Sequence, residues 1–229
     1  MPVTFPQAII FDLDGTLVDS APEIARALNA GFGPLGLSPF TADTAKALIG
    51  GGAGAAIDRA VTMAGLDPAT VDRGPIMARF MATYAEASAE GNGLYPGVHE
   101  TLAVLRQRGL PLALCTNKSH AIALIAVKAL GIADYFGSIL GVREGEPRKP
   151  DPRMLQAALA PFGLAVADAI MVGDSHADIN AARAAGCPSI AVRYGYAKGP
   201  VADLGADVIV DTVTAVPEAI ERIAASRRR

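Results

Sequence analysis

Ala8-Ile9-Ile10-Phe11-Asp12-Leu13-Asp14-Gly15-Thr16-Leu17 is the stretch on which the reading of this chain turns. Residues 8–11 are apolar and include two β-branched isoleucines, the pattern of a short buried strand running into a glycine turn. Two aspartates close it. In extended chain, side chains two positions apart leave the same face, so Asp12 and Asp14 share one small volume. Carboxylates that close repel, and either one takes up a proton or a cation sits between them. A hard divalent ion prefers oxygen ligands and suits the place. The alternative is a pair of turn aspartates capping a helix.

Downstream of Leu17, Ser20 and Glu23 have capping-box spacing and predict a helix start. Helical periodicity returns over 42–49, 54–65 and 75–90, and no strand pattern appears until 111–116. A crossover between parallel strands needs about a dozen residues, and this interval is several times longer. Residues 19–93 therefore read as a small all-helical insertion hinged at Val18–Ser20 and Gly91-Asn92-Gly93. Residues 1–18 and 94–229 form the parent domain. There, helices at 97–108, 119–130, 152–162 and 176–185 alternate with strands at 111–116, 138–142, 169–173, 189–193 and 208–210. Asp151 is the expected N-cap of the third of these helices, with Pro152 in its first turn. Such alternation, with several strands apolar throughout, predicts the α/β class: a Rossmann-like parallel sheet with helices on both faces, plus the inserted helical unit.

Composition narrows the partners. The chain has 229 residues, 51% of them hydrophobic and 19% charged, and a formal net charge of -3. With Arg227-Arg228-Arg229 as the one basic cluster, no nucleic-acid partner is expected. There is no charged-then-apolar leader and no apolar run long enough to span a bilayer, so no membrane association and a cytoplasmic setting are expected. Cys115 and Cys187 lie far apart, each beside an apolar run, and read as buried free thiols. A monomer or a homodimer is expected.

The polar residues fall at strand ends. Asp12 and Asp14 end the first strand, Thr116-Asn117 the second, and Gly173-Asp174 the fourth, with Asp178 one helical turn later. Lys149 lies on the loop after strand 138–142. In a parallel sheet all of these positions share one edge, where ligands bind at a switch in strand order.

Asp12-Leu13-Asp14-Gly15-Thr16, Thr116-Asn117, Lys149-Pro150 and Gly173-Asp174-Ser175-His176-Ala177-Asp178 together resemble the four motifs of the haloacid dehalogenase-like phosphohydrolase superfamily, in the same order. The insertion after the first motif resembles that family's C1 helical cap. Phe11–Ser20, Thr116-Asn117-Lys118, Ala185–Ser189, Val192–Tyr196 and Gly205-Ala206-Asp207 are similar to its phosphoglycolate phosphatase group. The resemblance implies covalent phosphoryl transfer with Asp12 as nucleophile and Asp14 as acid, then base. It also implies Mg²⁺ held by Asp12, the backbone carbonyl of Asp14, and Asp174. Lys149 would screen the phosphate charge. The Thr116 hydroxyl and the backbone N–H groups of Leu13, Asp14 and Asn117 would hold the phosphoryl oxygens. Asp178 would hold Lys149 or a metal-bound water. His176 invites a ligand reading, but a carboxylate site does not need it, and a surface or supporting role is expected.

Gly50-Gly51-Gly52-Ala53-Gly54 precedes a helix start, where N–H groups can meet an anion such as a carboxylate; a flexible turn is the alternative. In the resembling group this loop often reads Gly-Asn-Gly and touches the substrate, so Gly51 and Gly52 are candidate substrate contacts. Arg59 is expected at the surface. The implied function is Mg²⁺-dependent hydrolysis of a small phosphorylated metabolite, with 2-phosphoglycolate leading. Other small phosphorylated acids, (amino)sugar phosphates and a phosphosugar mutase are alternatives. Asp14 disfavours a dehalogenase, and Lys46, the single lysine of the insertion, carries no mark of the Schiff-base lysine that phosphonate cleavage requires.

Overall fold

The computed structural model describes residues 5–227, leaving Arg228 and Arg229 of the basic cluster outside it. Six strands form one parallel sheet: β1 (Ala8–Phe11), β2 (Leu112–Ser119), β3 (Ser138–Val142), β4 (Ala169–Gly173), β5 (Ser189–Val192) and β6 (Val208–Val210). Their order is β3-β2-β1-β4-β5-β6. The chain steps outward from β1 to β3, then returns to lay β4 on the other side of β1. That reversal opens a crevice at the carboxyl ends of β1, β2 and β4.

The period-2 alternation of β1 sorts its side chains onto two faces. Ile9 and Phe11 pack with residues of α5 (Val98–Gln107), α6 (His120–Ala129) and α9 (Val216–Ser226), including Leu102, Val127 and Ile220. Ala8 and Ile10 pack against α7 (Arg153–Leu159) and α8 (His176–Ala185) through Leu155, Ala158 and Ala182. β1 is buried on both sides, which accounts for its uninterrupted apolar run.

Between β1 and α5 lie α1 (Ala21–Phe32), α2 (Ala42–Leu48), α3 (Gly52–Met63) and α4 (Arg73–Ser88), with no strand among them. They enclose a hydrophobic cluster of their own, with Leu28, Phe32, Ile57, Val61 and Phe80 at its centre and Ile122 of α6 reaching in from the sheet domain. The two connections to the sheet domain run side by side: Asp19 N–H donates to Gly93 O at 2.7 Å and Tyr95 N–H to Leu17 O at 3.0 Å.

Four local expectations change. Ser20 stands at the N-cap of α1 but makes no capping bond. Instead Asp19 Oδ1 and the Tyr196 hydroxyl accept the Ala21 N–H at 3.2 and 3.1 Å, and Glu23 is drawn away to Ser88 Oγ at 3.0 Å. The helix expected over 152–162 is α over Arg153–Leu159 only, followed by a 3₁₀ turn, Ala160–Phe162. Pro161 has no N–H with which to continue the ladder. Pro152 holds the N-cap position, although Asp151 Oδ1 still accepts the Arg153 N–H at 3.0 Å. Finally, β2 runs on past Thr116 to Ser119, which still pairs with Val142 of β3, so Asn117 and Lys118 lie in strand at a register shift between the two.

Candidate active site

Three buried carboxylates meet at the crevice. Ligand oxygens of Asp12, Asp174 and Asp178 all lie within 4.8 Å of one another. The register of β1 against β4, Phe11 to Val172, sets Asp12 beside the residues that lead into Asp174, and Asp178 folds back from the first turn of α8. Gly15, at φ +83°, lets the chain turn sharply here; a Cβ in its place would lie 2.2 Å from Asp174 Oδ2. Only glycine permits both that backbone angle and that approach.

Lys149 is buried beneath them. Its Nζ donates to Asp178 Oδ1 and to Cys115 O, both at 2.6 Å, and lies 2.9 Å from Asp12 Oδ1. Burial pulls its proton affinity down, but Asp12 and Asp178 more than reverse this and hold it charged above its ordinary range. The loop that carries it is fixed by Asn117. That side chain accepts the Lys149 N–H and donates to the Lys149 carbonyl, both at 2.9 Å. Asn117 therefore spends its amide on positioning Lys149. Thr116 Oγ1 accepts the Lys118 N–H at 3.2 Å, which leaves its hydroxyl proton to give.

The carboxylates differ in what already satisfies them. Asp178 is saturated: Oδ1 takes Lys149, and Oδ2 accepts from Ser175 N–H at 3.0 Å and Ser175 Oγ at 2.6 Å. Asp174 accepts the Tyr196 N–H at 2.6 Å through Oδ2. Asp12 Oδ1 is buried and is met by the Lys149 ammonium alone, as an ion pair at 2.9 Å. Burial first, then the charge of Asp178, pushes Asp12 up to about 7 despite Lys149. Asp174 is raised well above the carboxylate range by burial and by its two acidic neighbours. Three carboxylates against one ammonium leave two negative charges in a buried space. Three clustered acidic oxygens and, with all three ionised, a deficit of two charges fit a divalent cation with oxygen ligands. Asp12 and Asp174 are the side chains free to bind it.

Asp14 stands apart from this cluster. Its Oδ1 pairs with Lys118 Nζ at 3.0 Å. Lys118 also donates to the Tyr84 hydroxyl of α4 and lies 4.0 Å from Glu23 Oε2 of α1. Lys118 belongs to the Thr116–Lys118 motif, but nothing in its sequence surroundings points to this role. Tyr196, which links Asp174 to Asp19 by donating its hydroxyl to Asp19 Oδ1 at 2.6 Å, was equally silent. Both roles depend on contacts between distant parts of the chain.

The cleft above the acids has a volume of about 280 Å³. Asp12, Thr116 and Lys149 line its floor, and Gly51, Gly52 and Tyr84 face them from the helical unit. Gly50, Gly51 and Gly52 all take positive φ, +106°, +77° and +87°, and Gly52 comes so near Asn117 O that a Cβ would sit 3.3 Å from it. Arg59 does not extend freely into solvent. Its guanidinium donates to Leu48 O at 3.1 Å through Nε and also to Gly50 O, while Arg148 donates to Gly51 O at 2.8 Å. Two arginines thus clamp the loop by its carbonyls. His176 is exposed at the cleft rim and lies outside the acidic cluster.

A family model described as haloacid dehalogenase-like hydrolase matches residues 9–192. The chain is 41% identical over 213 residues to a phosphoglycolate phosphatase of Rhodospirillum rubrum, covering 90% of this chain and 87% of that protein. It is 39% identical to one from Agrobacterium fabrum, with 92% and 91% covered. Its fold superposes on the crystal structure of a predicted phosphoglycolate phosphatase from Haemophilus somnus with a TM-score of 0.86 at 32% identity, covering 96% of this chain and 99% of that one.

Proposed function

The chain belongs to the haloacid dehalogenase-like hydrolase family, and from that membership we propose that it is a Mg²⁺-dependent phosphatase acting on 2-phosphoglycolate, yielding glycolate and phosphate. The observation that carries this is the buried Asp12 carboxylate, set between the Lys149 ammonium and Asp174 at the floor of the cleft. A carboxylate so placed is a nucleophile once its charge and that of the phosphate are balanced.

Asp12, Asp174 and the backbone carbonyl of Asp14 would hold Mg²⁺, which when bound would supply the positive charge that screens the dianionic phosphate from the carboxylates. Lys149 adds a fixed ammonium on the other side of Asp12. An Asp12 oxygen attacks phosphorus, the P–O bond to the alcohol breaks, and the departing oxygen takes a proton from Asp14. Water then attacks the aspartyl phosphate, giving its proton to Asp14 and restoring Asp12. The Thr116 hydroxyl and the N–H groups of Leu13, Asp14 and Asn117 hold the phosphoryl oxygens. Residues 19–93 serve as a cap, whose clamped glycine loop meets the carboxylate end of a small substrate and whose helices exclude water. A cytoplasmic setting is supported by two buried cysteines that form no disulfide. No helix among the described residues is long and apolar enough to cross a membrane.

Phosphate release measured across phosphorylated metabolites, with and without Mg²⁺, tests the reading. The expected result is Mg²⁺-dependent turnover with 2-phosphoglycolate well ahead of ordinary sugar phosphates. A flat profile removes the substrate assignment, and an isomeric sugar phosphate in place of free phosphate makes the enzyme a mutase.

A second expectation concerns pH. A carboxyl whose proton affinity is raised on folding is protonated in the native state where the unfolded chain has already ionised, so stability falls as pH rises. For the Mg²⁺-free protein the loss runs from Asp12's ordinary 3.8 to about 7. Thermal melting in chelator should therefore show a lower midpoint at pH 8 than at pH 5, and Mg²⁺ should recover most of the difference. Equal midpoints in chelator would show that the acids are not mutually strained.

A further inference from the structure

A buried ammonium must place its protons, and Lys118, whose side chain is 1% exposed, gives hydrogen bonds to two elements and lies within ion-pair reach of a third. Asp14 Oδ1 follows β1 in the sheet domain, the Tyr84 hydroxyl belongs to α4, and Glu23 Oε2 belongs to α1. The Tyr84 ring also lies under the ammonium, 4.1 Å from ring centre to Nζ. Glu23 is itself tied to α4 by Ser88 Oγ. Two of the cap helices that border the cleft, α1 and α4, and the second aspartate of the first motif thus meet on one cation.

We propose that Lys118 is a positioning residue that aims the Asp14 carboxyl group at the leaving oxygen, and that the docked cap holds Lys118 in place to do so. The inference rests on the reading of Asp14 as the proton donor. Asp14 follows Asp12 by two positions, yet the acidic cluster contains Asp12, Asp174 and Asp178 and not Asp14. What separates it is Lys118, which draws Oδ1 toward the cap and leaves Oδ2 without a partner among the described residues. Oδ2 is then the oxygen that can carry a proton toward the substrate. Tyr84 and Glu23 hold the ammonium from the opposite side, so a displaced cap takes two of its three partners away. Proton donation is in this way tied to a closed cleft, where water is excluded.

Leaving-group dependence separates this role from mere support of the fold. Under single turnover, with enzyme in excess, glycolate release from 2-phosphoglycolate needs a proton on a departing alkoxide, whereas p-nitrophenolate leaves p-nitrophenyl phosphate without one. Lys118→Met is expected to slow alkoxide release about 100-fold and phenolate release by no more than about threefold, the range of general-acid assistance. Tyr84→Phe keeps the ring and removes the hydroxyl, and should show the same pattern at lower amplitude even if Lys118→Met folds poorly. Lys118→Arg should recover part of the alkoxide rate. Equal slowing of both leaving groups in both variants, or a raised KM for 2-phosphoglycolate with kcat unchanged, overturns the inference. Asp14→Asn is the control: if it treats the two leaving groups alike, the reading of Asp14 as acid fails first, and independently of Lys118.

Discussion

Asp12→Asn is expected to reduce phosphate release by about 10⁴-fold or more, the scale seen when a covalent nucleophile is removed, while the Mg²⁺-free protein becomes at least as stable as the parent. The two halves of this result come from the same geometry. Asp12 Oδ1 is buried, and the group is raised to about 7 by burial and by Asp178 despite Lys149. Asparagine keeps the shape and removes one of three mutually repelling charges, and Lys149 keeps Asp178 as its partner at 2.6 Å. Phosphate release and thermal melting in chelator measure the two quantities. A variant that is inactive and also strongly destabilised would show that Asp12 supports the fold rather than the chemistry. One that retains turnover would remove the covalent mechanism.

Lys149→Met should act in the opposite sense on stability. The ammonium touches Asp12, Asp178 and the Cys115 carbonyl in a space where its side chain is 1% exposed. Methionine fills much of the volume but leaves these acceptors and Asp174 with no cation. Removing one partner of a buried ion pair costs about 3–5 kcal/mol, which for a chain of this size lowers the melting midpoint by roughly 10 °C. Activity should be lost as well, because the charge that screens the phosphate on that side is gone. The double variant Lys149→Met with Asp178→Asn should recover part of the stability, since it removes an orphaned acid, while activity stays absent. Additive losses in the double variant would mean that the pair is not coupled.

Much of the site was legible because its residues sit at strand ends. The apolar run of β1, the glycine turn behind it and the strand–helix alternation after Val98 placed Asp12, Asp14, Thr116, Lys149 and Asp174 on one edge of a parallel sheet. The structure has them there. The Ser20–Glu23 spacing marks the start of α1 correctly, but the capping bonds themselves are not made, since Glu23 accepts from Ser88 Oγ on α4 instead of the backbone of its own helix. Arg59 had the look of a surface charge, since nothing local announces that the carbonyls of Leu48 and Gly50 would converge on it. Lys118 offered nothing beyond its place in a three-residue motif, because all its side-chain partners lie on elements remote in the chain.

The amino-acid sequence by itself determined the α/β class, the helical insertion between the first two strands and the identity of the acidic residues at the sheet edge. Periodicity, turn glycines and motif spacing are local properties, readable wherever the chain goes. Tertiary structure alone decided which cation serves which acid: Lys149 for Asp12 and Asp178, and Lys118 for Asp14. Ion pairing falls off with distance and depends on burial, and both are set by the order β3-β2-β1-β4-β5-β6 and by the packing of α1 and α4 beside the ends of its strands.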